Sequence, residues 1–285
     1  MISEAQFKEE IEGIISNAIR EDVGDGDHSS LACIPKEATG KAKLLVKDEG
    51  ILAGVEFAKA VFAYVDEDLE IEILIEDGSN VSYGDIAFYV SGRSQSILKA
   101  ERLVLNAMQR MSAIATKTNH FVGLLEGTGT KILDTRKTTP GIRALEKWAV
   151  KIGGGENHRF ALYDMIMLKD NHIDFAGGIT KAIEKTKKYL KDTNRELKII
   201  VEARSLEEIR EILETKGVYR ILIDNFNYAD TREAVRLIGD ACLTESSGGI
   251  TENTIRQYAE CGVDYISSGA LTHSVYNMDL SLKAV

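Results

Sequence analysis

The chain has 285 residues, 44% of them hydrophobic and 28% charged, the composition of an ordinary globular protein and not of a disordered one. Its length suggests one large α/β unit with a smaller companion. A formal net charge of −10 argues against nucleic acid or an anionic membrane as the principal partner, so any dense cluster of cations calls for a local explanation.

Residues 3 to 20 open the chain with Phe7, Ile11, Ile14, Ile15, Ala18 and Ile19 at helical spacing, and Ser3 with Gln6 reads as a capping box. This is no secretion signal, and no uncharged apolar stretch is long enough to span a bilayer. The spacing predicts short strands at Lys43–Val46, Ile51–Ala53, Leu69–Ile75 and Ile86–Val90, separated by Asp48-Glu49-Gly50, Asp77-Gly78 and Gly84-Asp85. It predicts helices at Val55–Val65 and over 94–120. Together they read as a small α+β layer.

From Lys131 the rhythm becomes regular. Apolar runs recur at Lys131–Leu133, Met165–Leu168, Lys198–Val201, Arg220–Ile223, Ala241–Leu243 and Asp264–Ile266, most of them separated by amphipathic helical segments. Continuous apolar strands alternating with helices indicate a parallel sheet covered on both faces. Six successive units without a GxGxxG turn favour a barrel, TIM-like but incomplete, over an open doubly wound sheet. Asp134, Lys169, Glu202, Asp224 and Glu245 follow the first five runs, and Ser267 and Ser268 the sixth. In a parallel barrel all such exits share one face, where these folds assemble their sites.

Three segments carry the chemistry. Asp134-Thr135-Arg136-Lys137-Thr138-Thr139-Pro140-Gly141 lies at a strand-to-helix junction, with Thr139 placed as a helix cap and Pro140 in the first turn, so that Arg136 and Lys137 flank an anion-friendly terminus. Gly153-Gly154-Gly155 offers backbone freedom for close approach to a ligand or for positive φ, followed by His158 and Arg159, with Lys169 ten residues on from Arg159. These basic groups on one face point to a small ligand with several negative charges, since planar guanidinium forks suit carboxylates. Ser246 to Thr251, and Ser267-Ser268-Gly269-Ala270, are Gly-rich loops after the last two strands, the usual cradle for a phosphate monoester. Glu202 and Asp224 suit sugar hydroxyls or magnesium, or else serve as ion-pair partners of the cations. Cys33, Cys242 and Cys261 have no CxxC spacing and fit a reducing cytoplasm.

At this point the sequence resembles the quinolinate phosphoribosyltransferase (carboxylating nicotinate-nucleotide pyrophosphorylase) family, almost end to end. The resemblance rests on Glu21 to Asp27, Glu101 to Asn106, Ser112 to Thr116, Asp134 to Gly141, Gly153 to Arg159 and Leu168 to His172. It continues through Val201-Glu202, Ile223-Asp224-Asn225, Ser247 to Thr251 and Gly269 to Ser274. It departs at His28, Ala161 and Thr244, none of which is a proposed ligand-binding side chain. The resemblance implies an N-terminal α/β sandwich (residues 1–113, with 274–285 packing against it) and an α/β barrel (114–273). It implies a homodimer with shared sites. Arg102 of the neighbouring subunit, Thr135, Arg136, His158, Arg159 and Lys169 are expected to hold the quinolinate. Lys137 is expected at the pyrophosphate with Lys169 and magnesium, Glu202 and Asp224 at the ribose hydroxyls, and Ser247, Gly248, Gly249, Ser267, Ser268 and Gly269 around the 5′-phosphate. Lys137, Lys169, Glu202 and Asp224 are the expected catalytic groups. Three rival readings stand beside it: a related type II phosphoribosyltransferase acting on another aromatic acid, a Schiff-base aldolase using Lys169, and a non-catalytic sugar-phosphate binder.

Overall fold

A computed structural model describes residues 2–285. The chain divides into two compact units: residues 2–120 with 137–155 and 270–285, and residues 121–136 with 156–269.

The first unit opens with α1 (Glu4–Val23), whose N-terminus carries the expected capping box between Ser3 and Gln6. After α2 (His28–Cys33) come β1 (Thr39–Val46), the two-residue β2 (Gly50–Ile51), α3 (Val55–Val65), β3 (Glu70–Ile73), β4 (Asn80–Val81) and β5 (Ile86–Arg93). β1 pairs antiparallel with β5, and β5 with β3. The rings of Phe62 and Phe88 meet edge to face at 6.1 Å, joining α3 to the sheet. α4 (Ser94–Leu124) is one continuous helix whose buried stripe includes Val104, Met108, Met111 and Ala115.

The second unit holds a parallel sheet. Its strands are β6 (Lys131–Leu133), β7 (Ile166–Leu168), β8 (Ile199–Ala203), β9 (Arg220–Asp224), β10 (Leu243–Ser247) and β11 (Tyr265–Ser267); α5 (Arg143–Ile152), between β6 and β7, belongs to the first unit. α6 (Asp170–Ala176), α7 (Ile179–Asp192), α8 (Leu206–Thr215), α9 (Tyr228–Ile238) and α10 (Glu252–Ala259) connect the strands from β7 onward. The strand order is β6-β11-β10-β9-β8-β7. Sequence neighbours pair from β7 to β11 and the first strand, β6, pairs with the last, which is how a sheet curls towards a barrel; a doubly wound sheet would reverse direction at a switch point. The break lies between β6 and β7, where Glu156 borders β6: its N–H donates to Ile132 O, and its carbonyl accepts from Asp134 N–H. The barrel is incomplete, as expected.

α11 (Ala270–His273) and β12 (Leu280–Ala284) return to the first unit, where β12 pairs antiparallel with β1 and completes the order β12-β1-β5-β3. α4 runs unbroken through residue 113, and the division into compact units falls within the same helix, after residue 120. Residues 137–155 join the first unit because Glu146, fully buried on α5, is ion-paired with Arg110 on α4 at 2.9 Å.

Two expectations change. Thr139 does not cap α5, which starts at Arg143 behind Ile142. Instead the Thr139 N–H and hydroxyl both donate to Glu146, at 3.1 and 2.8 Å, so the buried carboxylate draws Thr139 inward before the helix begins. The fifth strand runs Leu243–Ser247, not 241–243, so Glu245 is its middle residue and no exit residue at all. The polar run Thr-Glu-Ser-Ser hid this strand, because it is stabilised by ladder bonds to β9 and β11 rather than by apolar content.

Candidate active site

Parallel neighbours in register face the same side of a sheet, and faces alternate along each strand. Glu202, Leu222, Glu245 and Tyr265 therefore form one row across β8 to β11. Asp224 and Ser247 stand one row nearer the strand exits. Lys169 follows β7 directly and Asp134 follows β6. The exits of the parallel strands thus gather an ionisable or hydroxyl group from each.

The carboxylates interact. Burial raises the Glu202 carboxyl above its ordinary range, the charge of Asp224 raises it further, and Lys169 pulls it back down. Lys169, Glu202 and Asp224 accordingly share one electrostatic neighbourhood. Lys169 precedes α6, its own N–H donating to Nδ1 of His172 at 3.1 Å. The Asp224 carboxylate accepts from Nδ2 of Asn225 at 2.6 Å.

Asp134 is fully buried and shapes the neighbouring loop: Oδ1 accepts from the His158 N–H at 2.8 Å and Oδ2 from Nδ2 of Asn157 at 2.6 Å. Arg159 is buried to 7% exposure, with Nη1 on the carbonyl of Met165 at 3.1 Å. Burial lowers the pKa of its guanidinium and the charge of Arg136 lowers it further, against a smaller opposing effect of Asp164. Two guanidinium groups close enough to repel form a seat for a polyanion. Asp164 also ties down the loop by accepting the N–H groups of Phe160 and Ala161, both at 2.8 Å. Ala161 contributes its main chain there, which is why its side chain can vary.

Directly after β9 and β10, Asn225 and Gly248 take φ of +57° and +96°, and the N–H of Asn225 donates to Ser247 O at 2.9 Å. A Cβ on Gly248 would lie 2.2 Å from Oδ1 of Asn225, so only glycine fits. The loop leads through Gly249, at φ +61°, into α10. Ser267 and Ser268 end β11 and are buried, the Ser268 N–H donating to Leu133 O at 3.0 Å; Gly269 follows. The phosphate candidates Ser247, Gly248, Gly249, Ser267, Ser268 and Gly269 therefore all lie at or just beyond the exits of β10 and β11.

Arg102 and Lys137 are exposed and belong to the first unit. Of the three glycines, one takes the positive φ expected of the run and the other two allow close packing. A Cβ on Gly153 would meet Ala115 O at 2.4 Å, and one on Gly155 would meet Thr118 at 2.8 Å, so these two allow close packing on α4. Gly154 takes φ +91°. Thr244 stands where an apolar residue is usual, and Asp264 accounts for its hydroxyl: it donates to Oδ2 at 2.7 Å and accepts the Asp264 N–H at 2.9 Å.

Beneath the exits lies a polar interior that the sequence did not announce. Glu245, wholly buried, lies 2.6 Å from Nη1 of Arg220 and 3.3 Å from Nε2 of His158. Burial alone would raise its carboxyl, but His158, then the Arg220 charge and a hydrogen bond from Ser267, hold it down at about 2. The one signal available was the alternation Leu243, Glu245, Ser247, which sets Glu245 at an inward position of a strand.

A parallel barrel with carboxylates, paired guanidinium groups and glycine loops at its strand exits defines an enzyme of the barrel class that takes small phosphorylated, polyanionic substrates. Comparison with known proteins makes this particular. Residues 114–283 match the family described as "Quinolinate phosphoribosyl transferase, C-terminal domain", and residues 27–112 match "Quinolinate phosphoribosyl transferase, N-terminal domain". The chain is 44% identical to quinolinate phosphoribosyltransferase [decarboxylating] 1b of Nicotiana tabacum, over 96% of this chain and 82% of that protein. It is 38% identical to the probable nicotinate-nucleotide pyrophosphorylase [carboxylating] of Bacillus subtilis, over 96% and 93%. Among solved structures, NadC from Streptococcus pyogenes superposes with a TM-score of 0.89 at 36% identity, covering 100% of this chain and 99% of that one. The nicotinate-nucleotide pyrophosphorylase from Francisella tularensis gives 0.88 at 37%, covering 97% and 96%. The chain belongs to the quinolinate phosphoribosyltransferase family.

Proposed function

We propose that this protein transfers the phosphoribosyl group of phosphoribosyl pyrophosphate to the ring nitrogen of quinolinate, releasing pyrophosphate and carbon dioxide and forming nicotinate mononucleotide for NAD synthesis. Family membership over nearly the whole chain supports it. The observation that carries it is the buried guanidinium of Arg159 beside Arg136, within the same unit as the coupled carboxylates Glu202 and Asp224.

Arg136 and Arg159 would grip the two carboxylates of the ring, each charge-assisted hydrogen bond contributing about 1.5–3 kcal/mol. Thr135 would add a hydroxyl and Lys169 an ammonium group, whereas His158, expected on the same carboxylates, has both ring nitrogens facing protein groups and would act on them through Arg159. Glu202 and Asp224 would take the ribose hydroxyls and offset positive charge developing at the anomeric carbon as its bond to pyrophosphate breaks. Lys169 and Lys137 would meet the negative charge gathering on the leaving group. Ser247, Gly248, Gly249, Ser267, Ser268 and Gly269 would surround the 5′-phosphate through main-chain N–H groups and hydroxyls. Once the ring nitrogen is quaternised it withdraws electrons, which eases loss of the adjacent carboxylate, so tight positioning rather than a general base suffices.

Among the described residues, no three His, Cys, Asp or Glu side chains gather to hold a metal. Glu202 and Asp224 suit hard cations, so these residues fit a magnesium ion that arrives on pyrophosphate. Bound there, magnesium would neutralise charge on the leaving group. Arg102 would reach the ring carboxylates from a second copy of the chain, making the active assembly at least a homodimer. No described helix is long and apolar enough to cross a membrane. The three free cysteines fit the reducing cytoplasm, whereas relatives from Nicotiana are named mitochondrial and one from Arabidopsis chloroplastic.

The Schiff-base reading of Lys169 loses ground because such a lysine needs apolar burial, whereas this one is exposed beside carboxylates. Pyrophosphate release with quinolinate and with nicotinate, each with and without Mg²⁺, tests the proposal. Quinolinate is expected to be the substrate and nicotinate to turn over hardly at all; the opposite preference rejects it.

A further inference from the structure

The inside of the barrel is filled in two chemically different ways. Met167, Ile200 and Leu222, with Met165, form an apolar cluster. Beside it, Arg220 and Glu245 are both charged and both nearly excluded from water, at 6% and 0% side-chain exposure. An apolar filling of the same volume would serve stability as well or better. The pair therefore calls for a reason of position.

The geometry supplies one. The guanidinium of Arg220 lies 4.4 Å from the ring centroid of Tyr265, itself the register partner of Glu245, so it has a stacking surface on one side and the carboxylate on the other. Oε2 of Glu245 then lies 3.3 Å from Nε2 of His158. The opposite ring nitrogen, Nδ1, accepts the main-chain N–H of Arg159 at 2.6 Å. With Nδ1 accepting, the ring proton sits on Nε2, the nitrogen on the Glu245 side of the ring. The His158 main chain is held in turn by Asp134. A continuous chain of contacts thus runs from the first residue of β9, through the barrel interior, to the peptide that carries Arg159.

We propose that Glu245 and Arg220 are positioning residues, which lock the orientation of the His158 ring and so set where Arg159 presents its guanidinium to the anionic ring substrate. The inference rests on the functional reading above and adds to it two residues that touch no substrate. Their main effect falls on the aromatic acid, because the chain of contacts through His158 ends at Arg159; the one link towards the phosphate loops is the hydrogen bond between Glu245 and Ser267.

Steady-state kinetics of the full-length protein with Mg²⁺, varying each substrate in turn, decides it for wild type, Glu245→Gln and the double variant Arg220→Met/Glu245→Gln. The KM for quinolinate is expected to rise about tenfold, the equivalent of one lost well-aimed contact, in every variant whose circular dichroism matches wild type. The KM for phosphoribosyl pyrophosphate and kcat should move less than about threefold. A folded variant with the wild-type KM for quinolinate overturns the proposal, as does an equal rise in both KM values. A double variant that cannot fold also overturns it, since the pair would then serve stability and not aim. A wild type inactive on quinolinate rejects the functional reading instead.

Discussion

Nη1 of Arg220 lies 2.6 Å from Oε2 of Glu245 although the two residues belong to different strands and neither pairs with the other in the register of β9 and β10. Arg220 starts its strand opposite Leu243, and its long side chain climbs two residues' height to reach the carboxylate.

That reach has a cost when it is broken. Glu245→Gln leaves the guanidinium buried without a counter-charge and is expected to lose about 3–5 kcal/mol of stability, whereas Arg220→Met/Glu245→Gln recovers most of it. Urea denaturation of the three proteins checks this. The pH dependence follows from the Glu245 carboxyl, held at about 2 against an ordinary value of 4.5. A depressed carboxyl stabilises the fold above its unfolded pKa, and that contribution is lost as pH falls from about 4.5 towards about 2. The wild type should therefore lose stability through this window more steeply than the double variant; parallel curves would contradict it.

Glu202 behaves in the opposite sense, its carboxyl raised by burial and then by Asp224. Removing the neighbouring charge in Asp224→Asn should lower the titration midpoint of Glu202, and Lys169→Ala should raise it. Carbon-13 chemical shifts of the Glu202 carboxyl, followed against pH in each variant, measure both directions. Identical midpoints in all three proteins would mean that the three groups do not share a neighbourhood.

Gly248 is fixed by crowding rather than by flexibility alone. Gly248→Ala drives a methyl group into the side-chain amide of Asn225 at a backbone angle of φ +96°. The loss expected is about 1–3 kcal/mol of stability from overpacking, together with weaker binding of phosphoribosyl pyrophosphate, read by calorimetry. Gly249→Ala meets no neighbour within 4 Å and should disturb packing less.

The proposed composite site can be tested by complementation. Arg102→Ala and Lys137→Ala would each be nearly inactive as pure proteins. Once subunits have exchanged, mixed dimers should regain about a quarter of wild-type activity, because one of the two sites in a statistical half of the dimers has both residues intact. No recovery after verified exchange would place Arg102 and Lys137 in the same subunit's site.

The succession of parallel strands was legible because each is a short apolar run bounded by helical periodicity, a pattern that needs no knowledge of neighbours. β6 matches its expected bounds, and so does α3. Arg136, Lys169, Glu202 and Asp224 were legible too as groups just past or at the ends of successive strands, which share an end of the barrel whatever the details of packing; Arg159, in the loop before β7, was marked by its composition and not by a strand exit. β10 was not, because a strand reading Leu-Thr-Glu-Ser-Ser has no apolar signature and exists through its ladder to β9 and β11. The start of α5 was not, because a buried glutamate seven residues on from Thr139 decides it.

By itself, then, the amino-acid order determined the alternation of strand and helix, the common face of the exits and the family, all of which follow from local periodicity and ordered motifs. Only the tertiary structure decided that Glu245 points inward to Arg220 and His158 and that Gly153 and Gly155 serve packing. Those outcomes depend on which side chains meet at distances far apart in the chain, and pairwise contact between distant residues leaves no periodic trace along it.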